Sequence, residues 1–411
     1  MKYDIFFSIC QTEVDGYLPT EKTMFQHFFD QVKLADELGF ETAWVAESHL
    51  SSEVQKQNPG AVIPHFKGEI GLNANILQLA QKIFSQTKRI HVGSAIMNIL
   101  CNGGPLAHAE AIKMFLSLHG LEEEESRLLE IGFAAGRFPY STSPYGIKPR
   151  NAIEKVAWPI IKGLIFREAT EIFLRALNNE VIASSDITPK TVSRAQCRTQ
   201  EHWQQIVEAY QAHHNTIDTP EQIEIEPFWD FDKVGVMPFE YRKDLLRLTI
   251  GSHEFPVQKM ANSFLPCGVF NLSITPSAHI EATHDAMKAA YHPDGGPWRR
   301  DLLPRTALVF VNGDSDKSPE EQSAIAKQAA EKALKTYWMA MDGTIDEAKI
   351  QEAVNNAIAG NPQEVAALLN THFHQDDRLM LWFDFNNHDN EAVKNSMTSF
   401  MHDVVPLLEK Q

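Results

Sequence analysis

The sequence predicts a closed (β/α)8 barrel. Two observations carry that expectation. Apolar, strand-like runs alternate with helix-period stretches about eight times along 411 residues, and short strands separated by helices pair in parallel through right-handed crossovers. No glycine-rich phosphate turn follows an early strand. Neither GxGxxG nor GxxxxGK(S/T) is present, so the usual mark of an open nucleotide-binding sheet is missing.

The elements follow in order. KYDIFFSI (2–9) reads as the first strand. Met24, Phe25, Phe28, Val32, Ala35 and Leu38 then recur at helical spacing, and Gly39 supplies a stop. TAWVA (42–46) is the second strand, followed by a loop with Pro59, Gly60 and Pro64 and a helix carrying Leu72, Ile76, Leu79, Ile83 and Phe84. RIHVGSAIM begins the third strand at Arg89; Pro105 opens the next helix, Gly120 ends it, and RLLEIGF (127–133) is the fourth strand. LLRLTIGS (245–252), PCGVFNLSI (266–274), RTALVFVN (305–312) and RLMLWFDF (378–385) complete the set.

Two stretches fall outside the repeat. Residues ~175 to ~240 are polar and proline-bearing and read as an insertion between units four and five. Residues ~341 to ~360 read as a lid-like segment between the seventh helix and the eighth strand. Long insertions in such barrels come from βα loops and cover the mouth. No linker divides the chain, so 1–411 is expected to be one barrel domain.

The formal net charge is −17. Such a chain repels phosphate backbones and anionic headgroups, which argues against nucleic acid or a membrane surface as partner. The four cysteines, Cys10, Cys101, Cys197 and Cys267, form no CxxC pair, as suits reduced thiols in the cytoplasm. The N-terminus has no signal-peptide pattern, and no window nears the ~20 apolar residues of a membrane span.

Barrels of this kind place chemistry at the C-terminal ends of their strands. Glu47 and His49 stand just past strand two. Ser94 to Asn98, Ala134 to Arg137 and Ser252 end strands three, four and five. His372 and His374 precede a strand and so read as surface histidines, since metal work needs ligands gathered at the strand tops. His213-His214 sits in the polar insertion, and Trp298–Asp301 reads as a solvated turn.

ELGFETAWVAESHL resembles the second-strand signature of the luciferase-like flavin monooxygenases, and RIHVGSAIMN resembles their third strand. PLAHAEAIKMFLSL is similar to the helix that follows, GNPQEVAALL to a late segment, and SFMHDVVPLLEKQ to the C-terminal end of bacterial luciferase α-subunits. The resemblance implies a barrel, usually a homodimer or heterodimer, that takes reduced FMN as a diffusing substrate from a separate reductase. With O2 it would form a flavin peroxide that oxidises a small organic molecule. It implies that Phe6, Ser94, Ala95 and Ile96 support the ring, with a non-prolyl cis peptide at Ala95-Ile96. Ala134, Gly136, Arg137 and Ser252 would surround the ring edge and phosphate, and Glu47 and His49 would be catalytic.

This chain departs from the family at three places. Ser48 stands where the luciferases carry their catalytic histidine. Ala135 stands where an arginine grips the flavin phosphate, with Arg137 the expected substitute. Gly251-Ser252 stands where Glu-Ser is usual. The rival readings are a deazaflavin- or flavin-linked oxidoreductase of the same fold, a non-catalytic flavin-binding partner subunit, and a metal-dependent barrel hydrolase.

With no dinucleotide fingerprint in the chain, the isolated protein given FMN and NADPH should oxidise NADPH negligibly until a separate reductase is added. Absorbance of NADPH under air measures this, and rapid oxidation by the protein alone would contradict it.

Overall fold

The computed structural model describes residues 1–57, 65–136, 139–342 and 347–409. Eight parallel strands form the barrel: β1 (Lys2–Phe7), β2 (Thr42–Val45), β3 (His91–Asn98), β4 (Leu129–Ala134), β5 (Leu246–Ile250), β6 (Cys267–Val269), β7 (Arg305–Val311) and β8 (Arg378–Trp382). They pair in the order β6-β5-β4-β3-β2-β1-β8-β7. The ring closes where Asn271, just past β6, bridges Arg305 at the start of β7. There Asn271 N–H donates to the Pro304 carbonyl at 2.9 Å, and Thr306 N–H to the Asn271 carbonyl at 3.1 Å. A short extra strand, Ile358–Gly360, pairs with the end of β7.

The helices start and stop for local reasons. In α1 (Glu21–Leu38) the Thr20 hydroxyl accepts from Thr23 N–H, and Gly39 ends the helix at φ 92°. The Asn75 side chain caps α2 (Ile76–Gln86). Pro105 lies in the first turn of α3 (Gly104–His119), where its missing N–H costs nothing. Asn151 caps the long α4 (Ala152–Leu177).

Period-two alternation along the strands sorts the barrel interior into layers. At the N-terminal end Arg378 (β8) meets Glu130 (β4) from across the barrel, donating from Nη1 to Oε2 at 2.8 Å and from Nη2 to Oε1 at 2.5 Å. Its Nε faces Asp4 of β1 at 2.6 Å. Thr42 of β2 donates to Glu130 at 2.8 Å, and the Trp44 indole donates to Asp4 at 2.7 Å. Burial opposes the charge on Glu130, yet the Arg378 guanidinium and its hydrogen bonds outweigh it and hold the carboxyl down at about 2. The next layer is apolar. Gly93 lets the Trp44 ring in, because a Cβ there would lie 2.5 Å from ring carbons. Phe6, Trp44, Phe270 and Met380 pack at the centre, with Ala46, Ala95, Ile96 and Trp382 beside them.

The stretch read as an insertion is folded. Val181–Ile182 pairs with Val234–Gly235, Lys190–Ser193 pairs with Gln222–Ile225, and the helix Gln200–His214 packs on α4. Trp229 reaches the start of α3, with its indole where a side chain on Gly104 would be. In the expected lid, residues 343–346 lie outside the described residues, and Glu347–Asn356 is a helix. Ile350 and Val354 of that helix are buried with Phe310, Leu334 and Phe385, so this part of the segment is docked on the barrel. No helix among the described residues is long and apolar enough to cross a membrane.

Removing one partner of a buried ionic cluster leaves the others charged and unpaired. Arg378→Met should therefore lower stability by about 3–5 kcal/mol. Urea unfolding measures it, and a loss under about 1 kcal/mol, the scale of an exposed pair, would show the cluster to be dispensable.

Candidate active site

Glu47 and His49 end up together because β2 stops at Val45 and the chain is caught by neighbouring loops. Ala46 N–H donates to Phe7, Ser48 N–H donates to Asn73, and the Asn73 amide donates to the Ala46 carbonyl. The pair is then held at 2.9 Å between Glu47 Oε1 and His49 Nε2, with side chains only 2% and 4% exposed. The other ring nitrogen, Nδ1, lies 3.2 Å from the Asn102 amide nitrogen. Tyr145 sets its ring edge-on to the imidazole at 6.4 Å. Glu47 Oε2 is buried and has no hydrogen-bond partner among the described residues.

The strand-three residues form the adjoining wall. The peptide Ala95-Ile96 is cis, as the resemblance implied. The pairing of β3 with β4 shifts register between Ser94 and Met97, around that peptide. Ala95 and Ile96 lie beside Phe6 and Trp382 in one apolar surface, the inner layer described above. Ala134 and Ile96 both approach Gly251, since a Cβ there would fall 2.7 Å from Ile96 Cδ1 and 3.1 Å from Ala134 Cβ. The ends of β3, β4 and β5 therefore converge, bringing together Ala95, Ile96 and Ala134 with the Gly251-Ser252 corner, while Ser94, in register with the outward Val45 and Ile131, lies on the outer face of the sheet.

Gly136 takes φ +74°, and the Asn98 amide nitrogen occupies the place of a Cβ at 2.1 Å. Ser252 Oγ accepts from Glu254 N–H at 3.3 Å. Beside Ser252, the rings of His253 and His279 stack at 5.0 Å. Burial, and then the nearby His279, lower the His253 pKa. Arg137, the expected phosphate partner, lies outside the described residues.

Reading strand ends alone missed Asn102, His108 and Asp384. Asn102 sits at φ +49° ahead of the Gly103-Gly104 pair, a turn signal legible in the sequence. His108 is buried on α3, its Nε2 3.1 Å from the Cys101 carbonyl. Asp384 follows β8, with Oδ1 buried and unpartnered among the described residues. His372 and His374 are both exposed, and no group of three or more potential metal ligands is gathered among the described residues.

Two buried polar atoms here, Glu47 Oε2 and Asn98 Nδ2, lack partners among the described residues. Buried polar groups need partners, so this mouth suits a ligand with a flat apolar face and a polar, hydrogen-bonding edge. A flavin has that form, so the residues present fit it.

Comparison with known proteins agrees with this description. Residues 5–118 match the luciferase-like monooxygenase family, the family that the sequence resembles. The monooxygenase RslO1 from Streptomyces bottropensis is 16% identical over 99% of both chains, with a TM-score of 0.66. The oxygenating constituent of 3,6-diketocamphane monooxygenase from Pseudomonas putida, a type II Baeyer-Villiger monooxygenase in complex with FMN, is 13% identical. That comparison covers 99% of this chain and 98% of that one, with a TM-score of 0.57. An F420-dependent secondary alcohol dehydrogenase in complex with an F420-acetone adduct is 12% identical over 99% of both chains, with a TM-score of 0.53. At these identities the likeness is one of fold. A comparison with curated proteins found no match.

Burial pushes the Asp384 carboxyl up to about 7, whereas an unfolded aspartate titrates near about 3.9. The folded state keeps its proton across that window, so this group's effect is to lower stability as pH rises through it. Asp384→Asn removes the effect, and the variant should gain on wild type from about pH 4 to about pH 7 and then level off. Urea unfolding at both ends of the range measures it; an equal difference at both ends would show an ordinary carboxyl.

Proposed function

We propose, with the luciferase-like match over residues 5–118 as premise, that this chain is an FMN-dependent monooxygenase acting on a small organic substrate. The observation that carries the reading is a buried carboxylate–imidazole pair beside an apolar floor at the strand tops. Reduced FMN, when bound, would supply the reaction with O2. The chain supplies the rest. Phe6, Ala95, Ile96 and Trp382 give an apolar bed that keeps water from the ring. Asn98 offers a polar atom at its edge, and Glu47 with His49 manages a proton in a site closed to solvent.

The phosphate would lie near Gly136 and Ser252, with the Asn98 amide, which fills the space beside Gly136, as a donor. Arg137 remains our proposal for the charged partner that Ala135 cannot be. We read the protein as cytoplasmic, as part of a homodimer or heterodimer, and as fed by a separate reductase. A second reading, hydride transfer with a deazaflavin and no use of O2, draws support from the fold shared with the F420-dependent dehydrogenase.

The test adds photoreduced FMN to the protein with aldehydes, ketones and thioethers, and follows O2 uptake and oxygenated product. Product formation is expected, with Glu47→Gln slowing it by about 10²–10⁴-fold, the usual cost of losing a proton-transfer group. Failure to bind reduced FMN would overturn the reading. Consumption of reduced F420 without O2 uptake would establish the second one.

A further inference from the structure

Both nitrogens of the His49 ring are engaged, one by Glu47 and one by Asn102, while Glu47 Oε2 has no partner among the described residues. An ionised carboxylate only accepts hydrogen bonds, so Nε2 must carry the proton it donates to Glu47. The Asn102 amide nitrogen, which can only donate, faces Nδ1, and that makes Nδ1 the accepting nitrogen of a neutral ring. The imidazole is thus clamped at both ends.

The groups packed around this pair leave it as they find it. The Cys101 thiol, in the β3–α3 loop, is pushed up to about 12 by burial, with the Glu47 charge adding to it. Burial holds the His108 imidazole, on α3, below its usual value. Both are neutral near pH 7. Tyr145 offers its ring to His49, and burial raises its hydroxyl as well. Among the described residues of this cluster, Glu47 keeps a buried acceptor oxygen, Oε2, without a partner.

We propose that Glu47, through Oε2, accepts the proton at this site, and that His49 and Asn102 are positioning residues. Glu47 sets His49 as the Nε2–H tautomer, and Asn102 holds the ring in place through Nδ1, so that Oε1 stays engaged. The left-handed backbone of Asn102 at φ +49° and the glycines after it deliver the amide to the ring. The assignment rests on the monooxygenase reading only for what Glu47 acts upon; the tautomer belongs to the protein alone.

The test is nitrogen-15 NMR of the flavin-free protein labelled at histidine, with the His49 resonances among the 17 histidines identified from His49→Gln. Wild type should show the neutral Nε2–H form at about pH 8, above the ordinary histidine range. Asn102→Asp, nearly isosteric, places a second carboxylate at Nδ1, favours the imidazolium and should raise the midpoint by about one unit or more. An Nδ1–H form or an imidazolium in wild type at that pH would overturn the proposal, as would an unmoved midpoint in Asn102→Asp. If a variant does not fold, the wild-type tautomer still decides. If the protein binds no flavin, the functional reading fails while this result stands.

Discussion

The contact between Arg378 and Glu130 is the constraint on which the rest of the barrel depends. It joins strands on opposite sides of the ring, and Asp4 and Thr42 tie two more strands to the same guanidinium. Taking these charges out of water is costly, and mutual attraction offsets that cost only when nearly every donor and acceptor is used. The arrangement therefore specifies the relative register of β1, β2, β4 and β8. The Trp44 indole, bonded to Asp4, carries that register upward into the apolar layer.

That layer is the underside of the mouth. Trp44 is fully buried and fits only because Gly93 is bare. Phe6 and Trp382 contact each other at 4.6 Å between ring centroids in the same layer. The floor on which a flat ligand would rest is thus the upper surface of a packed core, and it is held with the rigidity of that core. The polar atoms around it come from strand ends and short loops, where the backbone can take the left-handed turns seen at Asn102 and Gly136. One region supplies stiffness and the other supplies chemistry.

The eight strands were legible because burial on both faces leaves near-continuous apolar runs, and each run sits between helical periods. RLMLWFDF and RTALVFVN stand out for that reason. Glu47 and His49 were legible as polar residues directly after a strand, and the cis peptide position through its family resemblance. Asn102 was not. Its part comes from a hydrogen bond across 53 residues of chain, and no local pattern encodes which loop will face which. The charges of Glu130, Asp4 and Arg378 were likewise unreadable as partners. Within a strand each looks like an ordinary polar residue on a solvent face, and only closure of the ring turns that face inward.

Sequence alone therefore determined the alternation of strands and helices, the order of the units and the strand ends at which chemistry would gather, because periodicity and turn residues act over a few positions. Tertiary structure decided closure between Asn271 and Arg305, the folded state of the stretch after α4, and which polar atoms meet at the mouth. It also decided which atom of the Glu47–His49 pair has no partner among the described residues. Hydrogen-bond partnership depends on distances and directions between distant segments, and those exist only once the barrel is built.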